Sequence, residues 1–302
     1  MNQPILQVVI PAYGESPYLY ETLKSATKNL SPTTPITVLE DPSASTNVEQ
    51  IVKNFENRVE YQLNPTRLGI AGNFNKAMEV SQAKFTLLCG SDDLILSDLS
   101  NELISLTDRK IAAITSNSKV IDQKGREIRP LPDLVKNFIK PKIKKAQVIN
   151  NRKFFNRLML GDWLYFPAIA WNTQILRKEK FSEAFHTAMD LDIFVRLIEK
   201  NYSIFYIPIT TFAYRRHAES ASSLYAYEAG RFIEELKCHK NALKVAKDIG
   251  WNNSKFLAHL ALTIRLHGII KALSWFVRLR IKSGWELMVI SLTRLTSQRL
   301  KN

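Results

Sequence analysis

The chain has 302 residues, of which 45% are hydrophobic and 23% are charged, and its net charge is +14. This composition is typical of a folded globular protein and excludes a disordered chain. The two cysteines, Cys89 and Cys238, lack metal-ligand spacing, so they predict no disulfide framework and favour a reducing, cytoplasmic setting. Residues 1–9 have neither a basic stretch nor a cleavage site, so we expect no signal peptide.

Short apolar runs alternate with helical patterns in the first third of the chain. The expected strands lie at 6–10, 36–39, 59–63 and 85–89, and the expected helices lie near 18–30, 47–55 and 72–80. This order predicts an α/β fold with a mostly parallel, Rossmann-like central sheet flanked by helices. Ligands of such sheets bind beyond the carboxyl ends of the strands, and each of these strands ends in polar or turn residues.

The rest of the chain is less regular. Residues 112–120 predict another strand, 190–200 a short amphipathic helix, and 203–207 and 212–215 two further strands. From residue 225 onward the pattern is helical, so we expect a C-terminal helical appendage. No internal repeat or low-complexity tract interrupts this organisation.

The positive charge is concentrated in two segments. Residues 136–157 contain eight Lys or Arg and no acid, and residues 255–302 contain nine against Glu286, so each segment carries a net charge of +8. Such segments favour an anionic partner, for example phospholipid, polyprenyl phosphate or nucleic acid. The alternative is that each is simply a solvated surface.

The basic tail also has an apolar face. On one continuous helix, seven apolar side chains share a side, namely Leu262, Leu266, Ile269, Ile270, Leu273, Phe276 and Val277. No uninterrupted apolar run approaches the roughly 20 residues that span a bilayer. Because Trp275, Phe276 and Trp285 lie beside basic residues, we expect the tail to lie on anionic lipid. The alternative is packing against the rest of the chain or a second copy.

Two acidic pairs and one histidine are candidates for chemistry. Asp92 and Asp93 follow the fourth strand, where a divalent cation would offset their repulsion, although a helix cap would also explain them. Asp190 and Asp192 begin the amphipathic helix, either as dipole partners or with one acting as a base towards a hydroxyl group. His217 is a competent metal ligand, although an isolated histidine is usually structural.

Six short motifs occur in a defined order along residues 5–222. They are Val9-Ile10-Pro11-Ala12-Tyr13-Gly14-Glu15, Leu39-Glu40-Asp41-Pro42-Ser43, the segment from Asn64-Pro65-Thr66-Arg67 to Asn73, Ser91-Asp92-Asp93, Met189-Asp190-Leu191-Asp192, and Tyr214-Arg215-Arg216-His217 with Ser220-Ala221-Ser222. Together they resemble family-2 glycosyltransferases, the inverting enzymes of the glycosyltransferase type-A fold in the nucleotide-diphospho-sugar transferase superfamily. The chain departs from that family at Pro42, Gly90 and Met189, where glycine, an acid and glutamate are usual.

The resemblance implies a role for individual residues. Those implied for nucleotide-sugar binding are Pro11, Ala12, Tyr13, Glu15, Asp41, Arg67, Asn73 and Asp92. Among them, Asp41 would accept the N–H of uracil, which thymine also offers, and Asp92 would lie near the ribose and diphosphate. Asp93 would bind Mn²⁺ or Mg²⁺, with His217 completing the metal or diphosphate site. Asp190 would be the catalytic base.

The activity that the resemblance implies is metal-dependent, inverting glycosyl transfer of the hexosyltransferase type. The donor would be a UDP-sugar or a dTDP-sugar, and the acceptor a saccharide or a polyprenyl-diphosphate-linked saccharide in cell-surface polysaccharide biosynthesis. Residues 1–222 would form the catalytic domain, with a nucleotide-sugar half at about 1–120 and an acceptor half at about 121–222. Residues 223–302 would form the basic helical region.

These expectations extend to location and partners. We expect a cytoplasmic protein, peripheral on the inner face of the membrane through 255–302, with a homodimer as a further option and no nucleic-acid partner. One alternative is a nucleotidyltransferase on a related fold, which normally has a basic glycine-rich loop after its first strand. The other is a non-catalytic, basic nucleic-acid-binding protein.

Overall fold

A mixed β-sheet runs through the protein, which the computed structural model describes at residues 3–44, 46–104, 106, 110–217, 230–293 and 295. The strands within these ranges are β1 (Leu6–Tyr13), β2 (Ile36–Asp41), β3 (Glu60–Leu63), β4 (Phe85–Leu88), β5 (Leu94–Ile95), β6 (Ile111–Ile121), β7 (Gln147–Ile149), β8 (Ile169–Asn172) and β9 (Ser203–Arg215).

The helices lie on both sides of this sheet and at the C-terminal end. They are α1 (Leu19–Asn29), α2 (Val48–Val52), α3 (Gly69–Val80), α4 (Ser100–Ile104), α5 (Leu131–Ile139), α6 (Asn151–Leu160), α7 (Thr173–Glu179), α8 (Met189–Glu199), α9 (Gly230–Asp248), α10 (Asn252–Leu260), α11 (Leu262–Val277) and α12 (Ile281–Leu292). The predicted serines 220–222 and the predicted boundary after 222 lie outside the described residues.

The strand order is β3-β2-β1-β4-β8-β6-β9-β5, and β7 pairs with β9. The strands β1 to β4 are parallel, as predicted, and β6 is parallel to β9. In contrast, β8 runs antiparallel between β4 and β6, and β5 and β7 run antiparallel to β9. The α/β prediction is therefore confirmed, with a second half that is more antiparallel than expected.

Burial on both faces explains the continuous apolar runs of the first strands. In β1, Val8 and Ile10 face one core cluster, which includes Leu23 of α1. Val9 faces the opposite cluster, which includes Trp171 of β8. A strand covered on both sides needs apolar residues at successive positions rather than at alternate ones. Because β1 to β4 are parallel, the carboxyl ends of these strands lie at the same edge of the sheet.

The C-terminal helices are joined to the sheet through α9. Cys238, Ala242 and Val245 of α9 belong to the same core cluster as Phe194 of α8. A separate cluster joins α9, α11 and α12 and contains the buried Trp275. The prediction that Trp275 lies at a lipid surface is therefore wrong, because its ring packs inside this helical group.

One face of α11 is exposed. Its side chains Leu262, Leu266, Ile270, Leu273 and Val277, which we name the α11 strip, are between 48% and 84% exposed. The alternative that the predicted face packs against the rest of the chain is therefore wrong for these five side chains, whereas Phe276 of that face packs against Gly284 of α12. The opposite face of α11, which includes Gly268 and Ala272, packs against α12.

Among the described residues, the stretch Asn252–Val277 is long and apolar enough to cross a membrane by length and composition alone. Its mean hydropathy is high although polar residues interrupt the apolar runs within it. Ala261, with φ 46°, divides it into α10 and α11. The 16 residues of α11 extend about 24 Å, less than the roughly 30 Å of a bilayer hydrocarbon core.

Candidate active site

The acidic pair follows β4 beside a glycine. Asp93 is buried and its Oδ1 accepts the backbone N–H of Arg215 at 2.8 Å, while Asp92 Oδ2 lies 2.7 Å from His217 Nε2. The remaining oxygens, Asp92 Oδ1 and Asp93 Oδ2, converge over Gly90, since a Cβ there would lie 2.7 and 2.8 Å from them. The glycine at 90, a departure from the family pattern, therefore makes room for both carboxylates.

These two carboxylates suit a divalent cation that is shared with a ligand. Burial raises the pKa of Asp93 well above its ordinary value, and the charge of Asp92 raises it further. A cation would offset both effects. Nowhere in the described ranges do three or more His, Cys, Asp or Glu side chains form a complete cation site. Mg²⁺ and Mn²⁺ commonly use one or two carboxylates and take their other ligands from substrate phosphates and water.

Arg215 fixes the loop that carries the acidic pair. Its buried guanidinium donates through Nε to the Asp92 carbonyl at 2.8 Å and through Nη1 to the Gln123 carbonyl at 3.0 Å. It also donates through Nη2 to Glu21 Oε2 at 2.7 Å and lies 4.4 Å from the Tyr18 ring centre. The sequence motif contained this arginine, but only the structure reveals that it joins β9, the β4 loop and α1.

Asp41 ends β2 as a buried carboxylate. It accepts the backbone N–H groups of Leu68 at 2.7 Å and Gly69 at 2.9 Å, and the Asn64 side chain at 3.4 Å. Asn73 is also buried, where its Oδ1 accepts from Asn64 and its Nδ2 donates to the Leu39 carbonyl. Asn73 therefore supports this loop, and its contact with the nucleotide stays a prediction. A uracil contact at Asp41 stays a prediction.

The end of β1 presents accessible groups at the same edge of the sheet. Pro11 is half-buried and Ala12 buried, whereas Tyr13 and Glu15 are exposed. The guanidinium of Arg67 lies 4.6 Å from the Tyr13 ring centre. An exposed ring next to a cation can stack on a base and attract a phosphate. The nucleotide-binding roles of these residues stay predictions.

Asp190 lies in the first turn of α8 and is half-buried. Its Oδ1 accepts the backbone N–H of Leu191 at 2.8 Å. Burial, followed by the charge of Asp162, raises the pKa of Asp190 to about 7, while the Lys136 ammonium opposes this shift. Lys136 Nζ lies 3.6 Å from Asp162 Oδ2 and donates to the Leu164 carbonyl at 2.6 Å. A carboxyl that titrates near neutral pH is suited to proton transfer.

The second acid of this pair has a structural role. Asp192 is buried, and its Oδ2 accepts from Arg196 Nε at 2.8 Å. Arg196 also donates to the carbonyls of Glu179 and Lys180, which ties α8 to the end of α7. Of these two acids, Asp190 therefore stays the candidate base.

A series of polar contacts runs along α5. Asp133 accepts two hydrogen bonds from Arg216, at 2.7 and 2.8 Å, and one from Tyr165 Oη at 2.6 Å. Lys136 lies 4.7 Å from the Tyr165 ring centre and pairs with Asp162. The polar face of α5 therefore contacts Arg216, which precedes His217 in sequence, and Asp162, whose charge acts on Asp190.

A cavity of about 590 Å³ opens beside α5. It is lined by Leu96, Ser118, Lys119, Val120, Glu127, Ile128, Arg129, Asp133, Leu134, Asn137, Tyr165 and Thr210. It thus lies next to the Asp133–Tyr165 contact, on the acceptor side suggested by the sequence, and not over the Asp92–Asp93 pair.

Glu234 of α9 caps the helix that carries Asp190. Its Oε2 accepts the backbone N–H groups of Thr187 at 2.8 Å and Ala188 at 3.2 Å, and the Thr187 hydroxyl at 2.9 Å. The backbone N–H of His186 donates to both of its oxygens. A carboxylate at a helix N-terminus satisfies unpaired N–H groups and complements the helix dipole. Sequence reasoning missed Glu234, because no local signal connects it with α8.

The fold and this site define the class of protein. A crystal structure of S. aureus TarS residues 1–349 in complex with UDP-GlcNAc has a TM-score of 0.68, is 16% identical, and is matched over 98% of this chain and 82% of that chain. The corresponding complex with UDP has a TM-score of 0.56 at 16% identity, over 95% and 90% of the two chains. At this identity the likeness shows the fold alone, which is the glycosyltransferase type-A fold.

The sequence comparisons then give the family. The model described as glycosyl transferase family 2 matches residues 7–183, which is more than half of the chain. The protein therefore belongs to glycosyl transferase family 2 and is a glycosyltransferase. This result overturns the two alternatives that we kept open, a nucleotidyltransferase and a non-catalytic nucleic-acid-binding protein.

The curated relatives are distant. An uncharacterized glycosyltransferase of Methanocaldococcus jannaschii is 24% identical over 208 residues, 67% of each chain. One of Haemophilus influenzae is 25% identical over 133 residues, 43% of this chain and 53% of the relative. Chondroitin synthase of Escherichia coli is 22% identical over 200 residues, 65% of this chain and 27% of the synthase. The match thus spans only part of each relative.

Proposed function

We propose that the protein transfers a sugar from a UDP-sugar to an acceptor hydroxyl group with inversion at the anomeric carbon. The observation that carries this proposal is the presence of two carboxylate centres of different character, the acidic pair after β4 and Asp190 at the start of α8. Asp92 Oδ1 and Asp93 Oδ2 both lie within 2.8 Å of the position that a Cβ on Gly90 would take, which supports a shared cation, and burial raises the pKa of Asp190 to about 7, which supports its role as the base. Family membership supplies the reaction class.

The proposed reaction is a single displacement. The Asp190 carboxylate takes the proton of the acceptor hydroxyl, whose oxygen bonds to the anomeric carbon while the bond from that carbon to the diphosphate oxygen breaks. The sugar leaves bound to the acceptor, and UDP leaves as the second product. A divalent cation held by Asp93, with Asp92 and His217 beside it, would neutralise charge on the departing diphosphate.

Two observations support the choice of donor. TarS, which shares this fold, binds UDP-GlcNAc and UDP in its crystal structures, so UDP-GlcNAc is the first donor to test. The exposed Tyr13 ring beside Arg67 suits a base and a phosphate. A dTDP-sugar is the second donor to test, because thymine offers the same N–H as uracil.

Calorimetric titration of UDP with and without Mn²⁺ tests the donor site. We expect binding that depends on the metal, that is lost in Asp93→Ala, and that is unchanged in Asp248→Ala, an exposed position at the end of α9. Binding that is equal in the presence and absence of Mn²⁺, or equal in Asp93→Ala and the unmodified protein, would contradict the metal assignment. Parallel titrations of dTDP and GDP identify the base.

We further propose that the acceptor is a saccharide carried on a polyprenyl diphosphate, used in cell-surface polysaccharide synthesis on the inner face of the membrane. The α11 strip supports this proposal, because it exposes apolar side chains within a segment of net charge +8. An apolar face with basic flanks binds anionic lipid. Trp285 of α12 is also exposed.

Flotation of the full chain with vesicles tests this location. We expect Leu266→Ser/Ile270→Ser to weaken binding to anionic vesicles and to leave the titration of UDP unchanged. If the double variant instead dissociates a dimer in sedimentation velocity and binds vesicles normally, the α11 strip joins two copies and the lipid assignment is wrong.

A further inference from the structure

The helix α5 exposes its apolar face and buries its polar one. Leu131, Leu134, Val135 and Phe138 are between 44% and 85% exposed. They occupy positions i, i+3, i+4 and i+7, which form one side of a helix. An ordinary surface helix turns this side towards the core. A contiguous exposed apolar side of a helix is a candidate interaction surface.

The orientation of α5 is fixed by the candidate active site. Asp133 on its inner face is buried and accepts hydrogen bonds from Arg216 and Tyr165. Lys136, one turn further on, pairs with Asp162 and donates to the Leu164 carbonyl. Rotating α5 to bury its apolar side would break these bonds and leave a buried acid unpaired, which is costly. Because these polar contacts hold the polar side of α5 inward, its apolar side faces outward.

The charges next to α5 indicate what this face meets. The loop after it carries Lys142, Lys144 and Lys145, all exposed, and the segment from 136 to 157 contains no acidic residue. Apolar side chains followed directly by a group of lysines match a bilayer with anionic headgroups, which offers hydrocarbon below and negative charge above.

The ends of α5 and α11 approach each other beside Gly161. A Cβ on Gly161 would lie 2.9 Å from Ile139 Cδ1 of α5 and 3.2 Å from Thr263 Oγ1 of α11. The end of α5 and the start of α11 therefore meet at Gly161. The next residue, Asp162, is the acid that raises the pKa of Asp190. The end of α5 and the start of α11 are therefore both close to an acid that acts on the candidate base.

We infer that α5 is a second membrane-contacting element, which seats the acceptor side of the site on an anionic bilayer together with the α11 strip. The inference rests on the proposed function for the nature of the acceptor, but the lipid contact itself requires no catalysis. A lipid-linked saccharide would then approach Asp190 from the headgroup region without leaving the membrane. The polar face of α5 lines the site, and its apolar face contacts lipid.

Vesicle binding by the full chain tests the inference. The vesicles contain phosphatidylcholine and phosphatidylglycerol in equal parts, or phosphatidylcholine alone. We expect Leu134→Ser/Phe138→Ser to weaken binding to the anionic vesicles by about tenfold, because interfacial affinity follows the buried apolar area. The matched control is Ile104→Ser on α4, which removes a side chain that is 60% exposed on a different helix. Its binding should equal that of the unmodified protein.

A second variant separates charge from apolar contact. Lys144→Gln/Lys145→Gln should weaken binding to the anionic vesicles and leave binding to phosphatidylcholine alone unchanged. Melting temperatures establish that each variant is folded. If folded Leu134→Ser/Phe138→Ser binds as the unmodified protein does, or if it only dissociates a dimer, α5 does not contact lipid and the inference is overturned.

The assay also separates this inference from the proposed function. Weaker vesicle binding by the α5 variant, together with an absence of Mn²⁺-dependent UDP binding, would support the lipid contact and refute the donor assignment. If Mn²⁺-dependent UDP binding is observed and the α5 variant binds vesicles as the unmodified protein does, the donor assignment is supported and the lipid contact is refuted.

Discussion

Replacing Asp190 with asparagine should abolish transfer and at the same time stabilise the protein at neutral and alkaline pH. Asparagine keeps an oxygen that can accept the N–H of Leu191, but it cannot take a proton from the acceptor. The stability gain follows from the environment of the carboxyl. Burial, and then the charge of Asp162, raise its pKa from 3.8 to about 7. The ionised form is therefore disfavoured in the folded state.

The sign and size of this effect follow from linkage. Unmodified Asp190 loses folding stability as pH rises from its unfolded-state pKa to its folded-state pKa, and the full loss is present above pH 7. At about 1.4 kcal/mol per pH unit, the interval between 3.8 and about 7 corresponds to about 4 kcal/mol for a sealed site. Because Asp190 is only half-buried, we expect a gain of about 2 to 4 kcal/mol in Asp190→Asn at pH 8.

Thermal unfolding between pH 5 and pH 8 measures this gain. We expect the melting temperature of Asp190→Asn to exceed that of the unmodified protein by on the order of 4 °C or more at pH 8, and by less at pH 5. Asp192→Asn is the control, because it removes the charge that pairs with Arg196 and should be less stable throughout. A stability difference that does not grow with pH would refute the environment that we describe for Asp190. Transfer near the normal rate would show that Asp190 is not the base.

Three further predictions concern neighbouring residues. Asp162→Asn should shift the rise of kcat with pH to lower pH, and Lys136→Met should shift it to higher pH, because the two variants remove opposite charges near Asp190. Measured pH–rate profiles test this prediction, and shifts of both variants in the same direction would contradict it. Glu234→Ala should cost about 1 to 2 kcal/mol in thermal or denaturant unfolding and lower kcat without changing UDP affinity, whereas an unchanged kcat would make the cap purely structural. Gly90→Ala should weaken Mn²⁺-dependent UDP binding by about tenfold or more in calorimetry, and normal binding would show that Asp92 and Asp93 need not converge there.

The parallel half of the fold was predictable because its signals are local. Each strand from β1 to β4 is a short apolar run followed by polar residues, and each intervening helix has its own pattern. Even the extension of β1 through Pro11 has a simple reason. The strand β4 pairs with β1 only as far as Val9, so a residue without an N–H is tolerated two positions later.

The antiparallel part was not predictable, because its pairing is set by distant residues. The strand β8 has only four residues and lies between β4 and β6, which are far from it in sequence. The expected pair of strands at 203–207 and 212–215 is a single strand, β9. Register shifts against β6 near Thr115 and Asn117 accommodate the polar residues in its middle.

The candidate site also has a part that local motifs predict and a part that depends on distant residues. The motifs identify Asp92, Asp93 and His217, and the structure brings Asp92 and His217 to 2.7 Å of each other. The motifs do not reveal that Asn73 is a buried support. Nor do they reveal that Glu234, distant in sequence from Asp190, caps its helix. These contacts depend on how α3 and α9 pack, which short sequence patterns do not encode.

The cap that Glu234 provides has a consequence for exchanging parts between enzymes of this family. The helix α9 supplies both that cap and buried side chains, including Cys238 and Val245, against α8. A chimera that joined residues 1–222 to the C-terminal helices of another glycosyltransferase would leave α8 uncapped and open a gap beside it. A junction after Asp248 would keep α9 and its cap with the catalytic part, but α10, whose Ala258 belongs to the same core cluster, would still have to fit against α6.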